Sequence, residues 1–129
     1  MQVRSIHASD VEPVRALLCA SGWASRVGSA EQFAELVGNS QRTAVACEGS
    51  TVLGFARGIT DGISNGYLSM VVVSPEHRCR GIGRALVAHV VGEGSSITWV
   101  LRAGRDGAAE FFGKLGFAAS IVAMERHRV

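Results

Sequence analysis

Apolar residues recur along this chain with two periods, and the switches between them mark out the elements. Alternation around Val3 and Ser5 predicts a short edge strand over Gln2 to Ile6. Val11, Val14, Leu17 and Leu18 then share one helical face. A capping-box pair at Ser9 and Glu12 precedes them and Pro13 falls in the first turn, which predicts a helix from Asp10 to Ala20. Ser21, Gly22 and Gly28 interrupt that pattern, and Trp23 lies in the interruption. A tryptophan there is more often a lid on the core than a ligand platform, yet such connections concentrate recognition residues. Ser29 and Gln32 repeat the capping signal for a second short helix carrying Phe33, Leu36 and Val37 and ending at Gly38-Asn39.

Thr43 to Glu48 and Val52 to Thr60 read as an antiparallel hairpin about Gly49-Ser50. After a turn rich in Asp, Gly, Ser and Asn, the run from Tyr67 to Ser74 is apolar on both alternations. Leu68, Met70 and Val72 take one face, and Tyr67, Val71 and Val73 the other, so this strand is predicted to be central. A basic, glycine-containing turn leads into a helix over Gly81 to Val91, closed by Gly92 and Gly94, and a strand over Ile97 to Leu101 follows. Such a unit implies parallel neighbours joined by a right-handed crossover. Asp106 is placed to cap a last helix with Ala108, Phe111, Phe112 and Leu115 on one face and Gly116 as its stop; Phe117 to Arg126 reads as a final strand. The predicted architecture is one α/β domain over residues 1–129. Its mixed central sheet is antiparallel in the N-terminal part, with a parallel pair in the middle and helices on both faces.

Composition narrows the partners. A net charge of +2 is too small to argue for nucleic acid, and no apolar run approaches the roughly 20 residues that span a bilayer. Cys19, Cys47 and Cys79 are odd in number, lack metal-like spacing and follow no secretory leader, which favours a reduced, cytoplasmic setting. His7, His77, His89 and His127 also lack metal spacing, so no metal is expected.

The basic turn carries the chemistry. Gly81 and Gly83 remove Cβ atoms that would block a close backbone approach, and Ile82, Ala85, Leu86, His89 and Val90 open a helix directly after them. The first N–H groups of that helix, with Arg78, Arg80 and Arg84 around them, suit a phosphoryl group. A dinucleotide fingerprint is excluded by Leu86, which stands where a third glycine is needed; Gly-Lys-Ser/Thr is absent too. The plain alternative is a helix start with arginines for solubility.

Arg78-Cys79-Arg80-Gly81-Ile82-Gly83, taken with Ala108-Ala109-Glu110-Phe111-Phe112-Gly113-Lys114-Leu115-Gly116-Phe117, resembles the GNAT superfamily of acyl-CoA-dependent N-acetyltransferases. Arg78, Gly81 and Gly83 match the family's Gln/Arg-x-x-Gly-x-Gly/Ala signature, and Leu115, Gly116 and Phe117 its Leu-Gly-Phe helix end. The resemblance implies that the strands Tyr67 to Ser74 and Ile97 to Leu101 splay apart. The pyrophosphate of acetyl-CoA would lie on the backbone from Cys79 through Arg80, Gly81, Ile82 and Gly83 to Arg84, and its pantetheine arm along Val71, Val72 and Val73. Three positions depart from the pattern. Cys79 stands where many relatives have Gly; Phe112 stands where many have a Tyr that protonates the leaving thiolate; and Met70 stands where many have a carboxylate.

The activity implied is acetyl transfer to the primary amine of a small molecule by direct attack in a ternary complex. The acceptor could be an aminoglycoside-type antibiotic, which would make the protein a resistance enzyme, a polyamine or an amino-acid derivative. The backbone N–H of Val73 is the expected oxyanion donor. Asp61 leads the candidate bases, ahead of Glu76, His77 and Glu35, because the turn before the central strand should face the acceptor. Trp23, Glu35 and Tyr67 are candidate substrate contacts and Ser69 a candidate catalytic residue, the two on the strand placed to touch substrate or thiolate, with core packing their default. Nothing near Cys79 resembles a Cys–His–Asn arrangement for covalent catalysis. A competing reading is a non-catalytic acyl-CoA-binding regulatory module, and a homodimer in which a partner subunit completes the cleft is also open.

Overall fold

Five strands lie side by side in chain order: β1 (Gln2–Arg4), β2 (Arg42–Glu48), β3 (Thr51–Thr60), β4 (Asn65–Val73) and β5 (Thr98–Val100). The computed structural model describes residues 1–94 and 96–129. Neighbours from β1 to β4 pair antiparallel, whereas β4 and β5 are parallel. Helices α1 (Val11–Leu18), α2 (Ala24–Val27) and α3 (Ala30–Gly38) cover one face, and α4 (Ile82–Val91) and α5 (Ala108–Gly113) the other.

The alternation of β2 divides the core. Val45 and Cys47 meet Val14, Leu18 and Phe33 on the α1 face, while Ala44 and Ala46 meet Leu86, Val87 and Val90 on the α4 face. Small residues on the second face let α4 approach closely: a Cβ on Gly54 would stand 2.9 Å from Leu86 Cδ1. Ser29 and Gln32 cap α3 reciprocally, with Gln32 N–H donating to Ser29 Oγ (3.1 Å) and Ser29 N–H to Gln32 Oε1 (2.8 Å).

At α1 the cap differs from the expected Ser9–Glu12 pair. Ser9 lies inside a 3-10 turn, Ala8–Asp10, and Asp10 stands at the N-cap. Its carboxylate makes no cap bond to α1; it accepts from His7 N–H (2.7 Å), closing the 3-10 turn, and from Arg4 (2.6 and 3.2 Å), which ties that turn to β1. Glu12 pairs instead with Arg15 at 3.2 Å.

β4 does not keep the single alternation read from its sequence. Phe55 pairs with Val72 and Arg57 with Ser69, so β4 spends three steps where β3 spends two. The bulge includes Met70, at φ +54°. Leu68 therefore packs on the α4 face, but Met70 and Val72 pack on the α1 face together with Phe55.

Two further expectations fail at the far edge. β5 pairs with β4 only through Asn65–Thr98, Gly66–Trp99 and Tyr67–Val100, and the predicted final strand over Phe117 to Arg126 is absent among the described residues. The parallel pair thus lies at the edge of the sheet, not in its middle. Ser120 explains part of this: its Oγ accepts the N–H groups of Val122 (3.1 Å) and Ala123 (2.9 Å), bending the chain where a strand would need those donors.

Candidate functional site

Beyond Tyr67 the strands part, and a cleft of about 920 Å³ opens between them. One wall is β4 from Tyr67 to Val73, and the other is the loop after β5 with α5; the basic turn before α4 and, from the opposite face, Trp23 and Arg26 complete the lining. Ser74 N–H donates to Leu53 O across the sheet at 2.8 Å. Alternation then turns the N–H of Val73 away from β3, toward the cleft. The Val73 carbonyl accepts from Arg78 Nε at 3.2 Å.

The two glycines of the basic turn serve different ends. Gly81 is the N-cap of α4 at φ +79°, and a Cβ there would meet nothing within 4 Å; its glycine supplies the left-handed conformation and leaves open space beside it. Gly83 makes room for a side chain, not for a ligand, because a Cβ there would lie 2.8 Å from Phe111 Cζ. Cys79 is also left-handed, at φ +64°, a conformation that glycine adopts without strain. Arg78, Cys79, Gly81, Ile82, Gly83 and Arg84 line the cleft. Arg80 does not: it reaches Glu48 at 3.7 Å.

The Leu-Gly-Phe end of α5 has a physical reason. Gly116, at φ +96°, donates to Gly113 O (3.2 Å), and Phe117 N–H donates to Phe112 O (3.1 Å), which is the Schellman pattern of a helix stop. The accompanying apolar contact is the Phe117 ring edge-on to Phe112, centroids 5.8 Å apart. Phe112 packs edge-on to Phe111 as well, at 4.9 Å, and lines the cleft.

Of the other expected site residues, Trp23, Tyr67, Ser69, Val71, Val72 and Val73 line the cleft. Glu35 is exposed on α3 and lies outside the lining, as does Glu76. Asp61 also lies outside it. The Asp61 carboxylate accepts from the N–H groups of Ile63 and Ser64 (both 2.8 Å) and Asn65 (3.2 Å) and from the Ser64 hydroxyl. The Ser64 hydroxyl, followed by these backbone donors, holds its carboxyl far below the usual range, which suits a turn former and not a base. His77 alone of the four candidate bases lines the cleft, and its Nδ1 is buried with no hydrogen-bond partner among the described residues.

The fold adds residues that the sequence did not single out for the site: Arg26, Arg102, Arg105, Asp106 and Lys114. Asp106 is not the helix cap, since Gly107 at φ +79° holds that position. Arg105 lies over the Trp23 ring, 4.5 Å from its centroid. No regular spacing joins these residues, which come from three separate segments.

Solved structures share this architecture. A protein of unknown function from meticillin-resistant Staphylococcus aureus superposes with a TM-score of 0.81 at 17% identity, covering 99% of this chain and 97% of that one. A protein assigned to the GNAT family from Xanthomonas campestris pv. campestris gives 0.82 at 24% identity, covering 98% and 92%. An aminoglycoside 6′-N-acetyltransferase complexed with coenzyme A gives 0.59 at 24% identity, over 67% of this chain and 51% of that one. At these identities the likeness is one of fold. No curated protein matches the chain. The family model described as an acetyltransferase (GNAT) domain matches residues 39–119, well over half of the 129, and the chain therefore belongs to the GNAT acetyltransferase family.

Proposed function

We propose that the protein transfers an acetyl group from acetyl-CoA to the primary amine of a small molecule, by direct attack while both are bound. One observation carries this reading: past Tyr67 the edge of β4 is unpaired and faces a cleft that also receives the N-terminus of α4. The residues present fit the donor. Open space at Gly81, the first N–H groups of α4 and the cations Arg78 and Arg84 suit the pyrophosphate, and the backbone of Val71 to Val73 suits an amide-bearing arm.

In this mechanism the amine nitrogen attacks the thioester carbonyl, a C–N bond forms, and the C–S bond breaks. The N–H of Val73 donates to the carbonyl oxygen as it gains charge. An alkylammonium with a pKa of about 10 must first lose a proton, and His77 and Asp106 line the cleft as side chains able to pass it on. Phe112 has no hydroxyl to give the departing sulfur, so coenzyme A leaves as a thiolate, which a thiol pKa of about 8.5 permits, and the second proton, shed by the attacking nitrogen as the amide forms, goes to that thiolate or to solvent.

Phe112 and Met70, neither able to act as acid or base, favour the second reading, a non-catalytic acyl-CoA-binding module. Thiol release from acetyl-CoA across an amine panel, alongside calorimetric titration with acetyl-CoA, separates the two. Amine-dependent release is expected; binding without release would favour the module, and no binding would overturn both.

A further inference from the structure

Away from the basic turn, Arg26, Arg102, Arg105 and Lys114 line the cleft against a single carboxylate, Asp106, among the described residues. Arg57 on β3 is 8% exposed, its Nε donates to Ser40 Oγ at 2.8 Å, and no carboxylate lies within 4.0 Å of it among the described residues. Arg57 lies outside the lining itself, behind its cross-strand partner Ser69, which lines the cleft. Arg26 and Arg102 line both the cleft and an adjoining cavity of about 440 Å³, whose remaining lining is Glu125, Arg126, His127 and Arg128. Glu125 is already engaged, by Arg102 and by His127, each at 3.1 Å. Arg26, Arg126 and Arg128 make no ion pair among the described residues.

These cations are not placed to serve the donor. The basic turn with Arg78 and Arg84 belongs to the α4 side of the sheet, whereas Trp23 packs with the core of the other face and Arg26 follows it on α2. With Asp106 as the one carboxylate in the lining and Glu125 held by Arg102, this surplus of cations favours an anion there and disfavours a polycation. From this geometry we infer that the acceptor is a small amine carrying an acidic group, a carboxylate or a phosphate, and that polyamines and aminoglycosides are rejected. The inference rests on the acetyl-transfer reading for the identity of the acceptor, but not for the existence of the anion site.

The test pairs amines that differ only in the acid: 4-aminobutyrate with its amide, and O-phosphoethanolamine with ethanolamine, against spermidine and an aminoglycoside. Thiol release is expected to be at least about tenfold more efficient, in kcat/KM, for the acids than for their neutral partners, the scale of one charge-assisted hydrogen bond. The better of the two acids identifies the anion. Arg26→Gln, at an exposed position, is expected to erase most of that preference while leaving acetyl-CoA affinity unchanged. Calorimetry of the same compounds on the coenzyme A-loaded protein reads the anion site without turnover. Selective binding of the acids with no thiol release sustains the inference and sinks the transfer reading. Turnover with no preference for the acids, or with spermidine preferred, overturns the inference and leaves transfer standing; absence of both selective binding and turnover overturns each.

Discussion

Arg105 and Trp23 join the two walls of the cleft: the guanidinium of the loop after β5 lies 4.5 Å from the centroid of an indole that packs against the α1-face core. Since β4 and β5 share no pairing past Tyr67, this stack is a direct tie across the gap. A cation over an indole contributes about 0.5–1 kcal/mol even where it is open to solvent, and Trp23 is half-buried. Trp23→Ala and Arg105→Ala are each expected to raise the acceptor KM several-fold with little change in acetyl-CoA affinity, and the double variant to add little to either single one. A double-mutant cycle should give a coupling of about 0.5–1 kcal/mol; additive losses would show that the two do not act as a pair.

Cys79 holds a left-handed conformation that costs a non-glycine residue roughly 1–2 kcal/mol, while glycine gives back about 0.5–1 kcal/mol in unfolded-chain entropy. Cys79→Gly is therefore expected to stabilise the fold by up to about 1 kcal/mol in urea melts. Gly81→Ala is expected to destabilise it by a similar amount, although a Cβ there meets no neighbour, because φ is +79°. A loss of stability in Cys79→Gly would mean that the thiol makes a contact worth more than the strain.

What could be read in the sequence follows locality. The Ser29–Gln32 box, the hairpin about Gly49-Ser50 and the helix stop at Gly92 rest on side chains bonding to their own backbone or on one glycine's φ, so the local pattern carries them. The bond between Asp10 and Arg4 joins two separate elements, so no local pattern around Ser9 reveals it. The Met70 bulge was hidden because β4 is apolar on both alternations and no glycine marks it. The same division holds at the cleft. Arg78, Gly81, Gly83 and Phe112 sit within two compact motifs, whereas Arg26, Arg102 and Arg105 meet only once the sheet has parted.

Gly83 joins helix propensity to packing in a way that sets its expected sign. Alanine in a helix interior gains about 1 kcal/mol over glycine, but a Cβ 2.8 Å from Phe111 Cζ over-packs the α4–α5 contact at a cost of roughly 1–3 kcal/mol. Phe111 has little room to retreat, being packed edge-on against Phe112 at 4.9 Å. Gly83→Ala alone should lower the melting temperature. Adding Phe111→Leu should recover part of the loss, an outcome that a purely backbone role for Gly83 would not give.

Asp61 and Asp10 separate stability from catalysis by their response to acid. Hydrogen bonds from the Ser64 hydroxyl and neighbouring N–H groups lower the first, and the Arg4 guanidinium, then the His7 N–H, lowers the second. Both folded values lie below the unfolded 3.8, so the unfolded chain binds more protons as the pH falls. Their contribution is complete above about pH 5 and is lost as acid titrates each group through its depressed folded value. Asp10→Asn should lower the urea midpoint at neutral pH and flatten its fall below about pH 5, since the variant has no carboxylate left to protonate. Asp61→Asn should flatten the same limb while keeping kcat/KM for acetyl transfer within about twofold, because a true general base supplies roughly 10²–10⁴-fold. A hundredfold drop in turnover for Asp61→Asn, with acetyl-CoA affinity intact, would return that residue to the reaction and require its turn to open toward the cleft.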